Sequence, residues 1–238
     1  LGEGARSAKD ADRYYQRYVS AIEAIGRAVG PMTAVHGDVL MQRPGVSVKL
    51  SAIHPRFEPG KEERLAAELA PRLTELARMT RARGLTLTVD AEEQDRLDVT
   101  LDVFGACFLD PDLDGWSGFG LAVQAYGKRA IPVLRWLKRL SDRGGKRIPV
   151  RLVKGAYWDS EITWAQERGL ADYPVFSDKR DTDVSYLAAM RFLLADQQAF
   201  YPQIATHNAH SIATAIVAGG SAPFELQRGV GLEPCDRL

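Results

Sequence analysis

Short apolar runs that end in polar residues recur along this chain: Ser47-Val48-Lys49-Leu50-Ser51, Leu87-Thr88-Val89-Asp90-Ala91, Leu121-Ala122-Val123-Gln124-Ala125, Val150-Arg151-Leu152-Val153-Lys154 and Ile204-Ala205-Thr206-His207-Asn208. Parallel strands covered on both faces read as apolar runs, and the chemistry of a barrel collects where the runs end. Between them the apolar period changes to that of helices. Tyr14, Tyr15, Tyr18, Val19, Ile22 and Ile25 mark a leading helix from Asp10 to Ala28, stopped by Gly30-Pro31. Leu65, Leu69, Leu73, Leu76 and Met79 stripe a charged helix over Lys61–Arg83, which Pro71 is expected to kink or split and Gly84 to cap. Further helices are expected near Asp95–Phe104, along Ile131–Leu140, near Ser160–Arg168, near Asp183–Phe200 with Thr182 or Asp183 as N-cap, and over Ser211–Val217. Phe224–Gln227 begins a sixth strand, and residues 228–238 read as an irregular tail.

Strand-then-helix repetition with connections of this length requires right-handed crossovers and a parallel sheet. Polar residues close every strand, whereas an open doubly wound sheet concentrates its site at one switch point, so a TIM-like (β/α)8 barrel is favoured. The 238 residues suit a single barrel domain, with residues 1–45 as leading helix and linker and 46–227 as strand-helix units. Six strands are found where eight are expected, and the barrel reads as incomplete at its C-terminal end.

Composition narrows the function classes. Lys plus Arg and Asp plus Glu are equal at 31 each, so no net field favours nucleic acid. Cys107 and Cys235 lie far apart without metal-type spacing, as befits bystanders in a reducing compartment. No apolar run is long enough to span a bilayer, and the expectation is a cytoplasmic protein. Gly118-Phe119-Gly120 and Gly144-Gly145-Lys146-Arg147 are incomplete as phosphate loops. His207 and His210 lack the carboxylate partners of a zinc motif, and no metal is expected.

Individual strand ends carry more. Arg151 inside an apolar strand must face an anion or an electron-rich ring, or else pair structurally with Asp90 or Glu92. Lys154 sits where a barrel aldolase holds its Schiff-base amine, or it packs its stem and solvates its ammonium. Lys49 and Asp90 are charges at neighbouring strand ends. Gln124 is neutral with both donor and acceptor, which suits an imide-like edge such as a flavin pyrimidine, or a satisfied core amide.

The strings Ser47-Val48-Lys49-Leu50-Ser51-Ala52-Ile53-His54-Pro55-Arg56, Val89-Asp90-Ala91-Glu92-Glu93, Val123-Gln124-Ala125-Tyr126, VRLVKGAYWD over 150–159, Tyr173-Pro174-Val175-Phe176, Thr182-Asp183-Val184-Ser185-Tyr186 and Thr206-His207-Asn208-Ala209-His210 closely resemble the proline dehydrogenase domain of bacterial bifunctional proline utilization A. The resemblance covers residues 1 to 227. It implies a distorted (β/α)8 barrel that binds FAD and oxidises L-proline to 1-pyrroline-5-carboxylate by hydride transfer to flavin N5. Electrons would pass to a membrane quinone. The parent protein would carry a pyrroline-5-carboxylate dehydrogenase domain and touch the inner membrane peripherally.

Carried over position by position, the resemblance puts Arg151 beside flavin N5 and Gln124, Asp90 and Ala91 along the ring. It lines the cofactor with Val153, Lys154, Gly155, Ala156, Tyr157 and Trp158, and assigns its phosphate, ribose or adenine side to Lys179, Thr206, His207 and Asn208. Lys49 would pair with the proline carboxylate, and Asp90 and Tyr157 would complete the substrate pocket, making Arg151, Asp90 and Lys49 the catalytic set. Three departures accompany it. Asp178-Lys179 stands where the family has Arg-Lys, which is expected to weaken FAD affinity. The stretch after Gln227 departs from a His-Gly-Met-Gly-like pattern. The last two strands and an arginine-bearing helix are not found, so weak or no turnover is expected. The alternatives are a Schiff-base lyase using Lys154 and a noncatalytic barrel fragment.

Overall fold

Six strands, β1 (Gly45–Val48), β2 (Thr86–Val89), β3 (Phe119–Gln124), β4 (Ile148–Val153), β5 (Phe200–Ala205) and β6 (Glu225–Gln227), pair in parallel in sequence order in a computed structural model. The structure describes residues 4–30 and 38–228; the Pro31 helix stop, Cys235 and the reading of the tail beyond Arg228 lie outside the described residues. Strand order never reverses, as a switch point would require. The sheet curls far enough for one side chain of β4, Arg151, to touch Ser47 on β1 and Gln227 on β6 at once. This is a part-barrel of the (β/α)8 type, as the strand endings imply.

Helices among the described residues are α1 (Ala8–Val29), α2 (Asp38–Met41), α3 (Leu50–Ile53), α4 (Glu62–Ala82), α5 (Leu97–Phe108), α6 (Ala130–Gly144), α7 (Trp158–Glu167), α8 (Lys179–Ala195) and α9 (Ala209–Gly219). One set of alternating strand residues, including Leu87, Val89, Leu121, Val150, Leu152 and Ile204, is buried in the apolar core that includes these helices. The other set, including Ser47, Arg151, Gln203, Glu225 and Gln227, is joined by hydrogen bonds on the inner side of the curl. The strands are thus apolar outward and polar inward, a period-two pattern hidden within the apolar runs. Close strand approach has its own requirement: a Cβ on Gly120 would stand 2.5 Å from the carbonyl oxygen of Pro149 on β4.

Several local expectations change. Pro71 is exposed, and α4 runs through it unbroken with Leu65, Leu69, Leu73 and Leu76 buried; the acceptor it frees belongs to Ala67, also on the exposed side of the helix. Gly84 follows α4 in the left-handed conformation, as a helix stop should. Leu50–Ile53 forms α3 rather than extending β1, and all four residues are buried. The strand expected to run on to Leu50 stops at Val48, because an apolar residue at a strand end does not distinguish strand from buried helix. Asp178, not Thr182 or Asp183, caps α8 by accepting from the Arg180 N–H at 2.8 Å. Phe200 opens β5, and His207-Asn208 lie beyond its end, where Asn208 caps α9. Cys107 is buried against Thr74 and the Ala70 carbonyl, and burial pushes its thiol up to about 11, so it remains an unreactive bystander.

Candidate functional site

The ends of β1 to β4 are laced together from below before any reactive group is considered. Ser51, in α3 just past β1, donates its N–H to Glu92 Oε1 at 3.0 Å and its hydroxyl to Glu92 Oε2. The Glu92 carbonyl accepts from Gln124 Nε2 at 2.8 Å, and Gln124 Oε1 accepts from the Ala156 N–H at 3.1 Å. Both ends of the Gln124 amide are thereby fixed, and its role as a satisfied core amide is real. Glu161 on α7 accepts from the Gln94 N–H at 2.6 Å, which clamps the helix carrying Trp158 to the loop after β2.

Burial raises the Glu92 carboxyl above the usual range, opposed by the two Ser51 donors and by Arg96. Because the folded carboxyl ionises less readily than the unfolded one, its contribution is complete below the ordinary glutamate range and lost as pH rises through the raised value. Glu92→Gln is therefore expected to flatten the fall of the urea midpoint as pH rises above the ordinary glutamate range. An unchanged slope would show that another group titrates.

Above this lacing, four charged or polar groups converge. Arg151 donates from Nη1 to Asp90 Oδ1 at 2.9 Å, from Nη2 to Ser47 Oγ at 2.7 Å and from Nε to Gln227 Oε1 at 2.9 Å. Lys49 Nζ lies 3.9 Å from Asp90 Oδ2, donates to the Tyr157 hydroxyl at 3.3 Å and sits 6.0 Å from the centre of that ring. The Lys49 N–H in turn donates to the Tyr18 hydroxyl of α1 at 3.3 Å, which gives the leading helix a place in the site. Arg151 and Asp90 are 22% and 23% exposed, so their attraction is stronger than a surface pair's while water still reaches them. Burial works to lower the Lys49 ammonium, but Asp90 and Tyr157 together outweigh it and hold its pKa above the lysine range. The site keeps a fixed cation facing an anion, as the strand-end charges implied.

The remaining named residues form an outer lip. Ala91 follows Asp90, and Val153 and Lys154 are half-buried at the end of β4. Lys154 Nζ lies 2.5 Å from Asp183 Oδ1 and 5.8 Å from the Tyr186 ring centre, and Lys179 approaches the same carboxylate at 3.7 Å. Gly155 has φ +147, and a Cβ there would run into the buried Tyr126 ring. Trp158 is partly exposed and donates from Nε1 to the Phe176 carbonyl at 2.9 Å. Thr206 accepts from the Asn208 N–H at 3.1 Å, and His207, Asn208 and His210 are exposed. The Thr206 N–H donates to the Gln227 carbonyl at 3.0 Å, which ties this segment to the residue that touches Arg151. Asp178 is offset where it stands: Arg180 pairs with it at 2.5 Å and lowers it to about 2. Among the described residues no group of three or more His, Cys, Asp or Glu side chains is placed to hold a metal ion.

Sequence reasoning missed Ser47, Gln227, Glu225 and Gln203, and it read Asp183 only as a helix cap. For Gln203 and Glu225 the signal was inward register: Arg151 aligns with Gln203, and Gln203 with Glu225.

The chain matches the family model described as proline dehydrogenase over residues 1–232. It is 45% identical over 237 residues to the bifunctional protein PutA of Salmonella typhimurium, covering 97% of this chain and 18% of that protein. The PutA of Rhizobium meliloti is also 45% identical, over 231 residues, 94% of this chain and 18% of its own length. A crystal structure of a mutant Bradyrhizobium japonicum proline utilization A superposes with a TM-score of 0.90 at 52% identity, covering 95% of this chain and 23% of that one. The chain thus spans about a fifth of the length of these relatives.

Proposed function

The chain belongs to the proline dehydrogenase family, and on that footing we propose that its rim serves the FAD-dependent oxidation of L-proline to 1-pyrroline-5-carboxylate. The observation that carries this reading is the convergence of Arg151, Asp90, Lys49 and Tyr157 from separate strand ends into one contact network. The donor set suits FAD. Lys154 and Lys179 supply positive charge on the lip for a pyrophosphate, and the Gly155-Ala156 turn is exposed beside them. Arg151 is a permanent cation that suits a flat ring gaining electrons. Bound FAD would take the hydride from the proline carbon beside nitrogen at flavin N5 and pass the electrons to a quinone.

The residues of the chain do the positioning. Lys49 holds the substrate carboxylate, and its raised pKa keeps it charged while it does so. Asp90 keeps both cations oriented and offers an acceptor to the substrate amine, whose proton must leave as the imine forms. Tyr157 fixes the Lys49 ammonium through its hydroxyl. Gln124 sets the Ala156 turn that floors the ring site. Lys154 is not proposed as a Schiff-base nucleophile, because its amine is engaged by the Asp183 carboxylate at 2.5 Å and sits 5.8 Å from the centre of the Tyr186 ring. The 1-pyrroline-5-carboxylate would pass to a dehydrogenase domain of a longer parent protein. Among the described residues no helix is long and apolar enough to cross a membrane.

The test is the absorption spectrum of protein titrated with FAD and then given L-proline without oxygen. The expected result is saturable flavin uptake followed by bleaching. Absent uptake, or flavin that proline leaves oxidised, overturns the reading.

A further inference from the structure

A guanidinium carries five N–H donors in a plane. Three of Arg151's are engaged: Nε–H by Gln227 Oε1, one Nη1–H by Asp90 and one Nη2–H by Ser47. One N–H on each Nη remains for a ligand. Asp90 and Ser47 hold the two Nη ends and leave the group free to swing about the line that joins those contacts; the Nε anchor is the third point, which fixes the plane. Gln227 is suited to this because its own amide has one permitted orientation. Its Nε2 donates to Glu225 Oε1 at 3.0 Å, and a guanidinium only donates, so the amide must turn its oxygen to Arg151. Glu225 is held in turn by Gln203 Nε2 at 2.9 Å on Oε2. Gln203 is 6% exposed and aligned with Arg151 across β4 and β5. A chain of fixed donor directions therefore runs from β5 through β6 to the cation on β4. The β6 backbone does not depend on it, since Ala205 pairs with Gln227 in the ladder and the Thr206 N–H bonds the Gln227 carbonyl.

We infer that Gln227, locked by Glu225, is the positioning residue that sets the plane of the Arg151 guanidinium for the ring it faces. The inference rests on the flavin reading above for the identity of that ring, but not for the positioning itself. Two measurements separate them. In flavin-free protein, hydrogen exchange of the Arg151 Nε–H, followed by nitrogen-15 NMR, should quicken at least about tenfold in Gln227→Leu, the loss expected for one hydrogen bond to a charged group. The double exchange Glu225→Gln with Gln227→Glu restores an acceptor for Nε and a donor for that acceptor, and should return exchange to within about twofold of the parent. In FAD-loaded protein, Gln227→Leu should lower the flavin midpoint potential and shift its absorption envelope, and the double exchange should reverse both. Combined with Arg151→Lys, Gln227→Leu should have little further effect.

Unchanged Nε–H exchange in Gln227→Leu overturns the inference. So does a flavin potential that Gln227→Leu leaves at the parent value. A parent protein that takes up no FAD defeats the flavin reading instead, and the exchange measurement alone then decides whether Gln227 orients Arg151.

Discussion

Arg151→Met is expected to lower proline-dependent flavin reduction by about a hundredfold to a thousandfold, the scale of losing one fixed group that stabilises developing charge. Methionine preserves the apolar stem but removes all three hydrogen bonds to Ser47, Asp90 and Gln227. Asp90 then keeps only Lys49, which at 3.9 Å is a looser partner than the guanidinium at 2.9 Å. Stability should fall by about 1–3 kcal/mol, less than for a sealed ion pair because water reaches this one. Arg151→Lys should rescue stability in part and activity poorly. An ammonium is a point charge that cannot meet three acceptors lying around one plane. Anaerobic reduction rates together with urea midpoints separate the two losses. Near-parental reduction in Arg151→Met would mean that the cation belongs to the scaffold alone.

Gly155→Ala should cost about 2–6 kcal/mol and abolish flavin retention. Two independent effects add. At φ +147 an L-residue is strained by about 1–3 kcal/mol. The added methyl also meets the Tyr126 ring at Cγ, the ring atom nearest the backbone, so the ring cannot swing away. Tyr126 is itself pinned, donating its N–H to the Lys154 carbonyl at 2.7 Å and accepting from the Phe176 N–H at 2.8 Å. Overpacking of this kind adds about 1–3 kcal/mol. Relief requires the turn to move, and with it Lys154, Ala156 and Tyr157. The informative result is loss of FAD from protein that is still folded by circular dichroism at low temperature. Full flavin content in Gly155→Ala would show that this turn does not shape the cofactor site.

How much of this could be read from residues alone depended on how local each feature is. The core of β4 is legible because Ile148, Val150 and Val153 are β-branched residues lying between Gly144-Gly145 and Gly155. Lys49, Asp90 and Arg151 stand out because charge is costly inside apolar strands. The end of the first strand misleads at Leu50, since nothing in that residue separates the last position of a strand from the first of a buried helical turn. The cap of α8 was misplaced because Asp178, Asp181, Thr182 and Asp183 are all competent caps, and only the Arg180 N–H decides among them. Ser47 and Gln227 were invisible for another reason. Neither has meaning until the sheet is curled and its first and last strands approach the same guanidinium.

The bonds that define the rim join residues very far apart in the chain: Ser47 to Arg151 across 104 positions, Lys49 to Tyr157 across 108 and Arg151 to Gln227 across 76. Each closes a large loop whose entropy is lost before the bond can repay it. A search dominated by such long closures is slow, and chains of this topology fold slowly as a class. In refolding, helix signal should therefore recover well before the Arg151 contacts do, and the pocket would be the last part of the molecule to acquire its shape.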